Sequence, residues 1–220
     1  NIDADILMPF LPQGVELDLY DGKAYVSLVG FIFKRCRIFN IPIPLMGTFE
    51  EINLRFYVRR KVGDTYRRGV VFINETVPYK PVAWLANQLY KEHYIAIPTK
   101  HHIVLDNSIK SIQYEWKVGT SWNHIKVNAT MDSREMDRGS LEEFIFEHYY
   151  GYTKISENVS QEYKINHPRW MVNDVTEKSV ECDFSGMYGI PFSHLSNKKP
   201  DSIIIAEGSD ISVDWKRQPF

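Results

Sequence analysis

Period two dominates this chain. In FEEINLRFYVRR, residues 49–60, Ile52, Leu54, Phe56 and Val58 fall on one face, and Glu51, Asn53, Arg55, Tyr57 and Arg59 on the other. That alternation belongs to a strand with unlike faces. Upstream, a turn at Asp21-Gly22 leads into a β-branched and aromatic run over residues 24–33. Valines and aromatics sit on both of its faces, which predicts a buried central strand. Pro42 and Pro44 in IPIPLMG exclude a central strand and call for a loop or sheet edge. Gly63-Asp64 is a turn signal before RRGVVFINE, so 51–59 and 69–75 should form a hairpin, with 24–33 as an antiparallel neighbour. HHIVL, SIKSIQYEWKVG and NHIKVNATM read as short strands. In the second of these, Gln113, Glu115 and Lys117 alternate with Ile112, Tyr114 and Trp116, which gives it a wet face. Residues 161–215 return to short strands, with turns at 197–200 and 208–210.

Two stretches switch to the helical period. Val82, Leu85, Ala86 and Leu89 recur behind Pro81 and predict a helix over 82–93. Ser140-Leu141-Glu142-Glu143 is a capping box in front of LEEFIFEHYY, whose stripe is Leu141, Phe144, Ile145 and His148. Many short strands and two or so helices, without repeat or linker, predict a single domain over 1–220. Its class is mainly β (α+β): an antiparallel sheet, closed or nearly closed, with helices packed on it. The start at Asn1, without methionine, reads as the start of a truncated chain.

Composition narrows the function. The chain has 220 residues, 44% of them hydrophobic, and a formal net charge of -2. It therefore has core enough for one domain and no global basic field for nucleic acid. No apolar run reaches the roughly 18 residues of a membrane span. Two cysteines, Cys36 and Cys182, lie far apart without a CxxC or Cys/His cluster, which argues against a zinc site or a disulfide framework and for a reducing, cytoplasmic setting. No GxSxG, phosphate loop, GxGxxG or HExxH is present, so neither cofactor nor metal is expected. His101 and His102, adjacent on a strand, point to opposite faces and read as structural or surface residues. Arg59, Arg60, Arg67 and Arg68 flank the hairpin turn and read as a solvated edge.

The polar face of residues 51–57 has two readings. A strand with a wet outer face satisfies the alternation by itself. The other reading is a polar lining inside a barrel mouth. Glu51 and Arg55 then lie about 13 Å apart at Cα. Buried, they could pair only through Asn53 or a ligand, and the gap leaves room for a small polar molecule.

LPQGVELDLYDGKAYVSLVGFIF, FEEINLRFYV, RRGVVFINE and INHPRW resemble the YqjF-like conserved family, a domain of unknown function in the acetoacetate-decarboxylase-like superfamily. The resemblance spans nearly the whole chain. It is most specific at Glu51-x-Asn53-x-Arg55-x-Tyr57-Val58 and at His167-Pro168-Arg169-Trp170. The family usually begins with a short Trp-containing segment ahead of the LP-x-G element, and that segment is missing here. The resemblance implies an acetoacetate-decarboxylase-like β-barrel or cone with a ligand cavity inside. It turns Glu51, Asn53, Arg55 and Tyr57 inward and adds Tyr94 and His167 as ligand-binding candidates. Ile52, Leu54, Phe56 and Val58 would then pack under the 82–93 helix. Decarboxylase chemistry does not come with it. True members use a Schiff-base lysine, in a Pro-Lys-Lys step just after a helix. In LYKEHYIAIPTKHH the nucleophile's place falls on Tyr94 by helix-end alignment. By the Pro-x-Lys string it falls on Thr99, with Lys100 one step late. Glu51 does match the superfamily's acidic strand position. The implied function is binding of a small polar or oxo-acid metabolite, with Arg55 clamping an anion, Glu51 as acid/base or acceptor, and Tyr57 and Asn53 orienting it. The alternatives are a decarboxylase-related enzyme with Lys100 as offset nucleophile, and a non-catalytic interaction protein with a wet strand face.

Overall fold

The computed structural model describes residues 1–38, 41–42, 46–106, 109–214 and 218–220. Its spine is the Phe49–Val62 strand, flanked by Val26–Phe33 and by Thr65–Val77, both antiparallel. This is the neighbourhood that the two turn signals predict. At the hairpin tip Gly63 has φ 58°, a conformation open to glycine without a Cβ penalty. Val26–Phe33 differs from expectation. It is half-buried throughout and, among the described residues, pairs only with the central strand, so it is an edge and not a central strand. Its two apolar faces have another cause. On one side a Cβ at Gly30 would lie 2.7 Å from the Tyr114 ring of the second sheet. On the other, Phe31 and Phe33 stack edge-on, and Phe33 leans on Phe49. Ile41–Pro42 pairs with Arg37–Ile38 in a small separate ribbon, as the prolines require, while Pro44 and Trp215 lie outside the described residues.

The spine belongs to a nine-stranded sheet. Tyr150–Ser156 and Tyr94–Ala96 join Thr65–Val77 through parallel pairings, and Val159–Asn166 extends the sheet. A separate five-stranded antiparallel sheet runs in the order Ile205–Ala206, Val172–Glu181, Ser121–Arg134, Ile109–Val118, Thr99–Leu105. Neither sheet closes on itself among the described residues, so the closed barrel or cone is not formed. Two open sheets share a core instead, and among the described residues the Thr99–Leu105 strand stands at the edge of its sheet.

That core lies on the even-numbered face of the spine. Ile52, Leu54, Phe56 and Val58 pack with Leu7, Trp116, Tyr152 and the aromatic Phe184, Tyr188 and Phe192. The last three come from the short helical segments Phe184–Tyr188 and Ile190–Asn197, which no periodicity announced because each is too short to show one. The apolar strand face therefore does not lie under the first long helix. That helix, Lys80–Tyr90, follows Val77 after two residues and cannot reach back to mid-strand. It sits at the Phe49 end, where Ala83 and Val82 pack with Phe49 and Val77. The second helix, Leu141–Phe146, is capped as expected: the Ser140 Oγ accepts from the Glu143 amide at 3.2 Å. Phe144, Leu141 and Ile145 pack on Tyr57 and Val70.

One irregularity sets the site. Leu54 opposes Asn74, but Arg55 opposes Phe72, so Ile73 is an extra residue, a β-bulge. Val71 and Ile73 both join the core, while Phe72 and Glu75 share the face of Arg55 and Asn53.

Candidate functional site

The odd-numbered face of the spine is apolar at both ends and polar in the middle. Phe49 is plugged by the Lys80–Tyr90 helix, and Tyr57 by Leu141–Phe146. Between them Glu51 and Asn53 are 2% and 1% exposed. Asn53 Nδ2 donates to Glu51 Oε1 at 3.0 Å, and the Tyr94 hydroxyl donates to Glu51 Oε2 at 3.2 Å. Two further carboxylates are buried here. Glu75 stands opposite Asn53 and hydrogen-bonds Tyr94. Glu92 is turned inward by the left-handed Lys91 (φ 53°) that caps the helix. It accepts from Thr153 Oγ1 and, at 2.9 Å, from the Tyr163 hydroxyl. Tyr163 reaches it because Gly151 opposes it across the strand pair; a Cβ on Gly151 would lie 2.1 Å from the Tyr163 ring.

Three acids in one dry place cannot all be charged cheaply. Burial, reinforced by the nearby Glu92, pushes Glu51 up to about 7, against the hydrogen bonds from Asn53 and Tyr94 and the distant pull of Arg55. Burial and its two carboxylate neighbours raise Glu75 well above the usual range. The same burial, with the same acids beside them, raises Tyr94 and Tyr163, so both phenols remain neutral donors. Among the described residues, three buried atoms on this face make no hydrogen bond: Asn53 Oδ1, Glu75 Oε2 and Arg55 Nε. Among the described residues, no three metal-binding side chains converge as ligands.

Farther along the face a second polar group begins. Tyr57 shares a 2.6 Å hydrogen bond with Ser27, and its ring lies 4.8 Å from that of His148. Arg55 Cζ is 6.0 Å from the same tyrosine ring. His148 Nε2 lies 3.1 Å from Asp18 Oδ2, which also accepts from Arg68 Nε at 2.6 Å. Burial lowers His148 to about 4, so the imidazole is neutral and its Nε2–H is the donor; Nδ1 has no hydrogen-bond partner among the described residues. Burial pushes Asp18 up, but the hydrogen bonds from His148 and Arg68 together hold it below its ordinary value. A hollow of about 410 Å³ borders this group, lined by Tyr20, Arg68, Ser140, Glu143, Phe144 and Glu147, and contains none of the Glu51 group.

The model of a family described as an uncharacterized conserved protein, DUF2071, matches residues 1–210. The chain belongs to the DUF2071 family. A 61-residue stretch is 39% identical to the uncharacterized protein YqjF of Bacillus subtilis (strain 168); it takes in 27% of this chain and 25% of YqjF. The fold is that of acetoacetate decarboxylase-like proteins. An acetoacetate decarboxylase from Legionella pneumophila superposes with a TM-score of 0.56 over 94% of this chain and 75% of that one, at 13% identity. An acetoacetate decarboxylase-like enzyme from Sphingomonas wittichii RW1 gives 0.54 over 99% and 84%, at 12% identity.

In this DUF2071 chain the residues singled out from sequence do not all meet. Glu51, Asn53 and Tyr94 form one hydrogen-bonded group, and Arg55 and Tyr57 continue it along the strand. Arg55 does not bridge to Glu51, since Asn53 and Tyr94 occupy that carboxylate. His167 lies apart, its ring stacked between Tyr149 and Trp170 at 4.6 and 4.4 Å. Lys100 belongs to the other sheet, 45% exposed, paired with Glu115 at 3.2 Å and set over the Trp122 ring at 4.4 Å. Its neighbours show the strand's alternation: Thr99 and His101 bond Glu50, while His102 faces Glu115. The arginines of the hairpin are not a merely solvated edge. Arg60 and Arg67 hold the buried Glu162, Arg68 holds Asp18, and only Arg59 pairs with an exposed acid, Glu16. Glu75, Glu92 and Tyr163 had no part in the sequence reading. The polar triplet Asn74-Glu75-Thr76 at the end of an apolar strand was the available signal.

Proposed function

We propose that the Glu51 face is a binding site for a small polar metabolite of the oxo-acid or hydroxy-acid type. The observation that carries this reading is the set of three unpartnered buried atoms, Asn53 Oδ1, Glu75 Oε2 and Arg55 Nε, on adjacent positions of two paired strands. A buried polar atom left without a partner costs about 1–3 kcal/mol, so three in one place call for a guest or ordered water. Arg55 supplies the cation for a carboxylate. Asn53 offers an acceptor to a hydroxyl. Glu51, raised to about 7, is poised to give or take a proton near neutrality. The likeness in fold to an acetoacetate decarboxylase fits a small carboxylate guest. It does not carry the imine chemistry over, because among the described residues no lysine amine takes part in the Glu51 group and Lys100 is ion-paired in the other sheet.

A thermal-shift screen against small oxo and hydroxy acids tests the reading. A guest at 100 times its dissociation constant adds about 2.7 kcal/mol of stability, and Arg55→Gln should abolish the shift. Borohydride added with acetoacetate or pyruvate should leave no lysine adduct. The reading fails if no such acid shifts the transition, or if the shift survives in Arg55→Gln. An adduct on Lys100 would restore the offset-lysine enzyme.

A further inference from the structure

The five-stranded sheet ends on the Thr99–Leu105 strand, whose outer side pairs with nothing among the described residues. Its exposed row is apolar: Ile103, Val104 and Leu105 are 39%, 59% and 61% exposed. Free edges are usually blunted by charge, proline or a bulge. Residues 101–105 have neither proline nor formal charge, and their ladder with Ile109–Val118 runs without a register shift.

That ladder decides which backbone groups point outward. The Lys117 amide donates to Pro98 O at 3.0 Å, and the Asp106 amide to Ile109 O at 3.2 Å. Bonded and non-bonded pairs alternate along an antiparallel ladder. Lys100, His102 and Val104 therefore turn N–H and C=O inward, to their neighbour strand. Thr99, His101, Ile103 and Leu105 turn theirs outward, to the open edge.

We infer that this edge pairs with the same edge of a second copy of the chain, antiparallel, about a two-fold axis through Ile103. In that register Ile103 meets Ile103 of the second copy and His101 meets Leu105, so outward-turned residues meet outward-turned ones. A slip of one residue would set outward groups against inward ones and satisfy neither. The same register places Lys100 opposite Asp106, twice by symmetry, and His102 opposite Val104. These fall at the non-bonded positions, where side chains across a strand pair come closest. An edge complementary to itself in backbone, apolar row and charge selects a second copy over an unrelated extended peptide.

Sedimentation of the full chain tests this. Wild type should run at twice the 25.8 kDa monomer mass. Ile103→Pro should run as a monomer with an unchanged far-ultraviolet spectrum, because the Ile103 N–H takes no part in the strand's own ladder. Lys100→Asp and Asp106→Lys should each weaken the dimer by about tenfold or more, and the double exchange should restore it. A wild-type monomer throughout the soluble concentration range overturns the inference, as does a dimer that survives Ile103→Pro. If Ile103→Pro does not fold, a dimer indifferent to both single charge exchanges is the overturning result.

Discussion

Replacing Glu51 by Gln should change stability by an amount that depends on pH in a calculable way. Gln copies the shape of the protonated acid and cannot ionise. It can still accept from Asn53 and donate to Tyr94, which passes its own proton on to Glu75. In the unfolded chain Glu51 loses its proton near 4.5; folded, it holds it up to about 7. A raised carboxyl pKa means that the folded state binds the proton more tightly. Wild-type stability from this group is thus intact below pH 4.5, falls as pH rises from 4.5 to about 7, and is level above. Each pKa unit is worth about 1.4 kcal/mol, so the full loss is about 3 kcal/mol at pH 8, against about 1 kcal/mol at pH 5. Removing the Glu51 charge also relieves Glu75, which acts in the same direction. Urea denaturation of wild type and Glu51→Gln at pH 5 and pH 8 measures this. The variant should be the more stable protein at pH 8, with an advantage that shrinks by about 2 kcal/mol at pH 5. An equal difference at the two pH values would refute the argument, since it would mean that Glu51 ionises in the fold as it does in water.

His148 should behave oppositely. A histidine lowered to about 4 is neutral in the fold, so its contribution is intact above its ordinary 6.5 and is lost as pH falls from there towards 4; its ring resonances followed by NMR should show no titration between pH 8 and pH 5.5. Gly69→Ala should destabilise the fold by about 2–3 kcal/mol in chemical denaturation, because the new Cβ would lie 2.4 Å from the Tyr150 carbonyl oxygen, a backbone atom at the parallel joint.

The spine of the fold was readable in the sequence because its signals are local. Period-two alternation and the glycine at the hairpin tip specify the Phe49–Val62 and Thr65–Val77 strands without reference to anything distant. The mixture of acid, amide and phenol at residues 51, 53 and 57 was legible for the same reason, and all three are buried. What remained hidden was set by partners far along the chain. The sequence says which face of the spine is apolar, but not that Phe184 and Phe192 would cover it instead of the helix that follows Val77. Glu92 falls inside the 82–93 helix that the period predicts; the helix ends at Tyr90, and the left-handed Lys91 turns the carboxylate inward. His148 looked like the last member of a helical stripe. The helix ends at Phe146, and the imidazole answers to Asp18, 130 positions away.

The bulge at Ile73 has a consequence for how this protein could change over time. Phe72 and Glu75 are three positions apart and would face opposite ways on a regular strand; the one extra residue is what lets both face Arg55 and Asn53. Two spacings therefore keep Glu75 on this side of the sheet: three positions from Phe72 with the bulge, or two without it. Substitutions around Ile73 can adjust packing gradually. A single-codon deletion of Ile73 would remove the bulge and leave Phe72 and Glu75 two positions apart, still on one face and opposite Arg55 and Asn53, at the loss of one core side chain. A lineage carrying this site can therefore lose one residue here without turning Glu75 over, a freedom in length that a regular strand does not have.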